Sequence, residues 1–235
     1  MLVTGRSMIV LGINETHCAT AAILKDGEVV GCASEERFTR RKNDSGYPRL
    51  AIDALLAQLG LTPKDIDLVA LSGARMAAKD WLDRVLQDDA YIRDYYGVRL
   101  PSAGRSLGKR ARKLGAKFGL IDASRGKFAM PQAERLALVA DDLGISRERI
   151  VCHDHNSCHA AAAYFGSPYR GRPALVLTND NSGDGLCATA SSAAGHALTR
   201  HEASRSAPGS LGAFYSFVTL YLGMKFGEHE YKVMG

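Results

Sequence analysis

Short apolar runs broken by polar turns open the chain. Met8 to Gly12 (MIVLG) reads as a buried strand that meets the polar turn INETH. A second apolar run covers Thr20 to Leu24, and Asp26-Gly27 separates it from the run Glu28 to Ser34 (EVVGCAS). Asp-Gly between two apolar runs is a strong hairpin signal, because both residues tolerate the positive φ of a tight turn. The pattern predicts an opening three-strand meander whose first turn carries Asn14, Glu15, Thr16 and His17.

Helical spacing takes over at Leu50 to Leu59 (LAIDALLAQL), with Gly60 at the expected C-terminal stop. Ile66 to Ser72 (IDLVALS) reads as a strand and Ala77 to Tyr96 as a helix. Pro131 to Leu143 fits a helix with proline in its first turn and Gly144 behind it. Ile150 to Cys152 is a short strand, and the alanine-rich His155 to Phe165 (HNSCHAAAAYF) is a helix. Ala174 to Thr178 is a strand leading through the polar loop NDNSGDG into Leu186 to Ser191, a second hairpin. Leu211 to Leu222 (LGAFYSFVTLYL) is an apolar helix. The sum is an α/β fold mixing hairpins with helices, without an internal repeat visible in the residues.

Composition changes this picture little. The 235 residues are 46% hydrophobic and 23% charged, an ordinary globular balance that suits one large domain or two small lobes. Five cysteines (Cys18, Cys32, Cys152, Cys158 and Cys187) form no CxxC pair, so a disulfide framework is not expected and a cytoplasmic setting is. The N-terminal apolar run is shorter than a signal-peptide core, and no segment approaches the roughly 20 apolar residues of a membrane span. The net charge of +5 is concentrated locally: Arg105 to Lys127 holds eight basic residues and one acid. It reads as a basic, mobile insertion over about residues 100–128, a solvated helix face, or a phosphate-binding patch; without interleaved aromatics, nucleic acid is disfavoured.

The candidate chemistry is concentrated at a few positions. In HDHNSCHAA, His155 and His159 sit four apart, which on a helix places both imidazoles on one face. Such a pair is a bidentate platform for a first-row transition metal; the alternative is a polar helix start with incidental histidines. Asp180, at the end of a predicted strand, could complete a two-His-one-carboxylate set, a geometry suited to Fe(II). Asp184 in the same loop is a candidate group supporting the metal ligands, or a turn residue, and Gly183 and Gly185 permit close backbone approach to a ligand. His17 could act as a general base or orient a phosphate or carbonyl. Glu35, Glu36, Arg37, Arg40, Arg41 and Lys42 form a mixed-charge cluster that either pairs in solvent or uses its cations to bind phosphate. Cys152 and Cys158 flank the histidines and read as small core residues.

Four ordered segments resemble a known family. GINETHCATAAILKDGEVVGCASEERFTRRKNDSGYP is similar to the opening of the NodU/CmcH-type carbamoyltransferases, HDHNSCHAAAAYFGSPY to their His-rich helix, ALVLTNDNSGDG to their Asp-Gly metal loop, and SLGAFYSFVTLYLGMKFGEHEYKVMG to their SLG…EYKVMG signature. Trp81 to Arg149 carries no matching motif. The resemblance implies an actin-like ATPase (ribonuclease H-like) lobe, with His155, His159 and Asp180 as metal ligands. It also implies that His17 and Lys42 face carbamoyl adenylate, with Arg40, Asp184 and Gly183 as further substrate or nucleotide contacts. Cys18 stands where the family usually has an aspartate.

The implied activity is O-carbamoyl transfer. Carbamoyl adenylate, made from carbamoyl phosphate and ATP by a YrdC-like domain, would donate to a hydroxyl of a small-molecule acceptor in biosynthesis. The chain stops at EYKVMG, directly after a helix. It therefore reads as a partial N-terminal carbamoyltransferase domain over 1–235, its second lobe incomplete or absent, with the YrdC-like domain expected in cis or trans. The alternative is a catalytically incomplete fragment that binds a nucleotide or partner, and a homodimer is left open. A hydrogenase-maturation-type carbamoyltransferase is a third reading, but its acylphosphatase and zinc-finger modules are not visible.

Overall fold

The computed structural model describes residues 7–74, 76–77, 129–130, 132–205, 210–225 and 228–235. The opening meander forms as expected: β1 (Ile9–Asn14), β2 (Thr20–Lys25) and β3 (Glu28–Ser34) pair antiparallel in that order. Asp26 and Gly27 take φ of 53° and 83°, which makes the β2–β3 connection the tight turn that Asp-Gly favours. A short helix α1 (Glu36–Thr39) and the longer α2 (Arg49–Leu59) follow. β4 (Leu68–Ser72) then lies parallel to β1, and β7 (Ile150–His153) parallel to β4. The five-strand sheet therefore runs β3-β2-β1-β4-β7. Between β4 and β7 the chain forms a two-strand pair, β5 (Met76–Ala77) with β6 (Ala129–Met130), and α3 (Gln132–Leu143). Apart from Ala77, the expected helix from Ala77 to Tyr96 lies outside the described residues, as does the basic segment.

Alternation along the strands builds the core. Ile9, Leu11 and Ile13 of β1, Ala21 and Ile23 of β2, and Val69 and Leu71 of β4 point to one face. There they meet Ile52, Leu55 and Leu56 of α2 and Val139, Ala140 and Leu143 of α3. Burial of this aliphatic cluster is the main stabilising term of the lobe.

The second half departs from the expectation in two ways. β8 (Ala174–Gly183) extends through the residues read as a polar loop, so Asp180 lies within the strand. Its pairing with β9 (Leu186–Ala194) shifts register between Asn179 and Gly183. In addition β10 (Ala197–Arg205), too polar and exposed to give an apolar run, pairs antiparallel with β9. The resulting sheet, β10-β9-β8, is a second antiparallel meander followed by a helix, α5 (Leu211–Tyr221). That topology repeats the opening of the chain, a recurrence the residues did not disclose. α4 (His155–Phe165) leaves the end of β7 and packs on β8 and β9 through Ala160 and Tyr164, against Val176 and Ala193, so it joins the two sheets. A last short helix, α6 (Glu230–Val233), contacts α5. No helix among the described residues is long and apolar enough to cross a membrane. All five cysteines are free thiols.

Candidate metal centre

The parallel strands β1, β4 and β7 all end on one side of the first sheet, where ligands of α/β folds collect. Each ends in a segment with a specific task. After β7, Asp154 accepts the Ser157 backbone N–H at 3.1 Å and caps α4, which begins at His155. Helical spacing then stacks the His155 and His159 rings edge to face, with centroids 4.5 Å apart.

Asp180 reaches the same point from β8. His155 Nε2 lies 2.6 Å from Asp180 Oδ2 and 2.9 Å from His159 Nε2, and His159 Nε2 lies 3.7 Å from Asp180 Oδ2. These three ligand atoms are within 4.8 Å of one another, and they are the His/Cys/Asp/Glu group found among the described residues that could hold an ion. The donor set fits a divalent cation. A ring nitrogen offers one proton or one lone pair along one direction, so His155 Nε2 cannot satisfy both neighbours by hydrogen bonding. Ligands on one ion at ~2.1 Å stand roughly 3 Å apart, which the observed separations bracket.

Electrostatics agrees with the geometry. Contact with Asp180 raises the His155 pKa above its ordinary 6.5 despite the opposing effect of burial. Hydrogen bonds from His155 and His159 hold the Asp180 carboxyl well below the usual carboxylate range. His159 is the outer member of the set, with 54% of its side chain exposed against 28% for His155.

Several residues that no motif singled out hold this arrangement. Buried Asn156 accepts from Thr178 Oγ1 at 2.9 Å and donates toward the carbonyls of Gly183 and Leu186, both at 3.4 Å, fastening α4 to the β8–β9 hairpin. Buried Ser210 donates to the Asp180 carbonyl at 2.8 Å while its oxygen caps α5 through Ala213 N. Gly212 lies against the Asn181 backbone, where a Cβ would collide. Thus the serine and glycine of SLG seat α5 beside the aspartate. Gly183 presses on the His155 ring, so its close approach serves the imidazole.

His17 and Lys42 stand apart from the three-residue cluster. His17 lies in the turn after β1, its Nδ1 3.2 Å from Cys18 Sγ. Desolvation lowers its pKa below 6.5, against the acidic influence of Glu230, Glu36 and Glu228. Asn14 shapes that turn: its amide donates to the carbonyls of His17 and Cys18, and its oxygen accepts from Thr16 and from Ser72 of β4. Arg40 and Lys42 are exposed in the loop beyond α1.

The two acids of the charge cluster bond to backbone N–H groups. Glu35 is buried and accepts the backbone N–H groups of Leu50 at 3.1 Å and Ala51 at 2.8 Å, so it caps α2, whose preceding Pro48 has no side-chain cap to offer. Glu36 accepts the Asn43 N–H at 2.9 Å and closes the loop that presents Lys42. Glu15 is buried as well, paired with Arg135 of α3. Asp184 turns inward, accepting backbone N–H groups of His155 and Ala74. Cys152 packs against the first core, as expected, whereas Cys158 is half-buried near the His153 carbonyl.

A family model described as "Carbamoyltransferase N-terminus" matches residues 9–235. A protein of Synechocystis sp. named "Uncharacterized protein sll1178" is 31% identical over 96% of the chain, and "Nodulation protein NolNO" of Sinorhizobium fredii is 27% identical over 93%. "Uncharacterized protein MJ1051" of Methanocaldococcus jannaschii is 37% identical over 28% of the chain. The chain spans 34% of the length of the first of these relatives, 27% of the second and 12% of the third. By the extent of the family match, this chain belongs to the carbamoyltransferase N-terminal family.

Proposed function

We propose that the chain is the metal-holding N-terminal part of an O-carbamoyltransferase. It would take a carbamoyl group from carbamoyl adenylate, made from carbamoyl phosphate and ATP, and pass it to a hydroxyl of a small molecule. The observation that carries this reading is the convergence of His155, His159 and Asp180 where β7 runs into α4. The two-His-one-carboxylate donor set suits Fe(II), and such an ion, when bound, supplies Lewis-acid polarisation.

The chain's own residues do the rest. His17, kept neutral near pH 7 by its lowered pKa, offers a ring nitrogen to receive the proton of the acceptor hydroxyl. Transfer forms the ester bond between the carbamoyl carbon and the acceptor oxygen, breaks the bond from that carbon to the adenylate phosphate oxygen, and releases AMP. Lys42 and Arg40, held on the loop that Glu36 closes, offset the charge on the departing phosphate. Gly183 leaves room for the His155 ring beside the hairpin. The S. fredii relative is named a nodulation protein, which makes a nodulation-factor sugar one candidate acceptor. The repeated meander-plus-helix supports an actin-like, ribonuclease H-like arrangement of two lobes, the second opening at β8.

The test is metal content. Purified anaerobically with Fe(II), the chain should carry close to one equivalent by elemental analysis, and His155→Ala/His159→Ala should carry none. Full content in the double variant removes the ligand assignment. Transfer from pre-formed carbamoyl adenylate to a panel of hydroxyl compounds then tests the activity.

A second reading, a catalytically incomplete fragment that binds a nucleotide or partner, has one observation in its favour. α5 buries Ser216 and Thr219 and turns Phe214, Tyr215, Phe217 and Tyr221 outward. Absence of transfer together with stable binding of AMP or of a protein partner would favour it.

A further inference from the structure

Asp184 occupies the first central position of the β8–β9 turn, with φ of 54°, and Gly185 follows at 86°. This turn needs residues that accept positive φ, and Asn, Asp and Gly all do so. The turn alone therefore does not account for what the carboxylate does. A single oxygen, Oδ2, accepts the backbone N–H of His155 at 2.7 Å and that of Ala74 at 2.8 Å.

Both donors matter. His155 N is one of the first N–H groups of α4, which have no partner inside the helix, and a negative charge there also interacts favourably with the helix dipole. Ala74 N belongs to the segment after β4, where the carbonyl of neighbouring Gly73 accepts from Arg135 at 2.5 Å. Asp184 thus ties three chain segments together at one oxygen: the β8–β9 turn, the exit of β4 and the first residue of the metal helix. These are charge-assisted bonds, the stronger kind.

We propose that Asp184 is the positioning residue of the metal centre. By pinning the His155 backbone to the turn that follows Asp180, it fixes where the two imidazoles meet the strand carboxylate. It holds the ligands in register through the helix backbone. This inference rests on the metal reading above.

The experiment separates the two. Fe(II) is titrated anaerobically into the full chain and into Asp184→Gly, Asp184→Asn and His155→Ala/His159→Ala, and the thermal midpoint of each metal-free protein is recorded. Asp184→Gly keeps a residue suited to the turn and deletes the brace; its Fe(II) affinity should fall about 10- to 100-fold. Asp184→Asn retains an oxygen that accepts both N–H groups in weaker, neutral bonds, so it should lose clearly less affinity than Asp184→Gly. Parent-like affinity in Asp184→Gly overturns the proposal, as does a loss in Asp184→Asn as large as in Asp184→Gly. Should Asp184→Gly fail to fold, Asp184→Ser, whose shorter side chain carries no carboxylate out to the two N–H groups, takes its place with the same expected loss. A parent chain that takes up no Fe(II) is a different result, because it removes the metal reading itself and the brace with it.

Discussion

Arg135 on α3 and Glu15 in the turn after β1 lie 120 residues apart in sequence and form a buried ion pair, with 1% and 3% of their surfaces exposed. The guanidinium also donates to the carbonyls of Ser72 and Gly73, so it stitches the exits of β1 and β4 to α3. Removing one partner of a buried pair leaves the other uncompensated. Arg135→Met should destabilise the fold by about 3–5 kcal/mol in urea unfolding, and adding Glu15→Gln should recover part of the loss. A near-neutral single variant would mean that Glu15 finds water instead.

Glu35 caps α2 from outside the helix. Glu35→Ala should cost about 1–2 kcal/mol, in the range of cap removals. Glu36→Ala, which frees the Asn43 N–H near Lys42, should cost less in stability and more in carbamoyl transfer. Chemical denaturation of both variants, read beside transfer rates, distinguishes the two neighbouring glutamates.

Gly183 is fixed by His155. A Cβ at this position would overlap the imidazole ring, so Gly183→Ala should displace the ring from Asp180. Fe(II) affinity should drop at least about tenfold while the overall fold survives with a loss of about 1–3 kcal/mol. Circular dichroism and metal titration on the same sample check both halves.

The His155–Asp180 contact makes the metal-free fold pH-dependent. A base whose folded pKa is raised contributes fully below its ordinary 6.5 and fades as pH climbs through the folded value. An acid held below its ordinary 3.8 contributes fully above that value and fades as pH falls toward the folded one. The contact therefore stabilises most between these two ordinary values. In chelator, the thermal midpoint of the parent chain should exceed that of His155→Gln by more at about pH 5 than at about pH 9. An equal gap at both would remove the ion pair from the account.

Much of this was legible along the chain because the signals are local. Alternating apolar residues and Asp26-Gly27 specify the opening meander, since side-chain direction and positive φ are properties of neighbours in sequence. The four-residue spacing of His155 and His159 specifies a shared helix face. β10 escaped because an exposed strand with polar side chains leaves no apolar run, and the extension of β8 through Asp180 escaped because polar residues there resemble a turn.

What the sequence determined by itself is most of the apolar elements, the family and the donor types, all carried by short-range pattern. The tertiary structure decided which carboxylates meet the imidazoles and which do not. Asp180 reaches the histidines, Asp184 braces their backbone, Glu35 caps a helix, and Glu15 is spent on Arg135. A carboxylate's role depends on the dielectric around it and on which N–H groups or cations stand within about 3 Å, and chain segments tens of residues apart supply those.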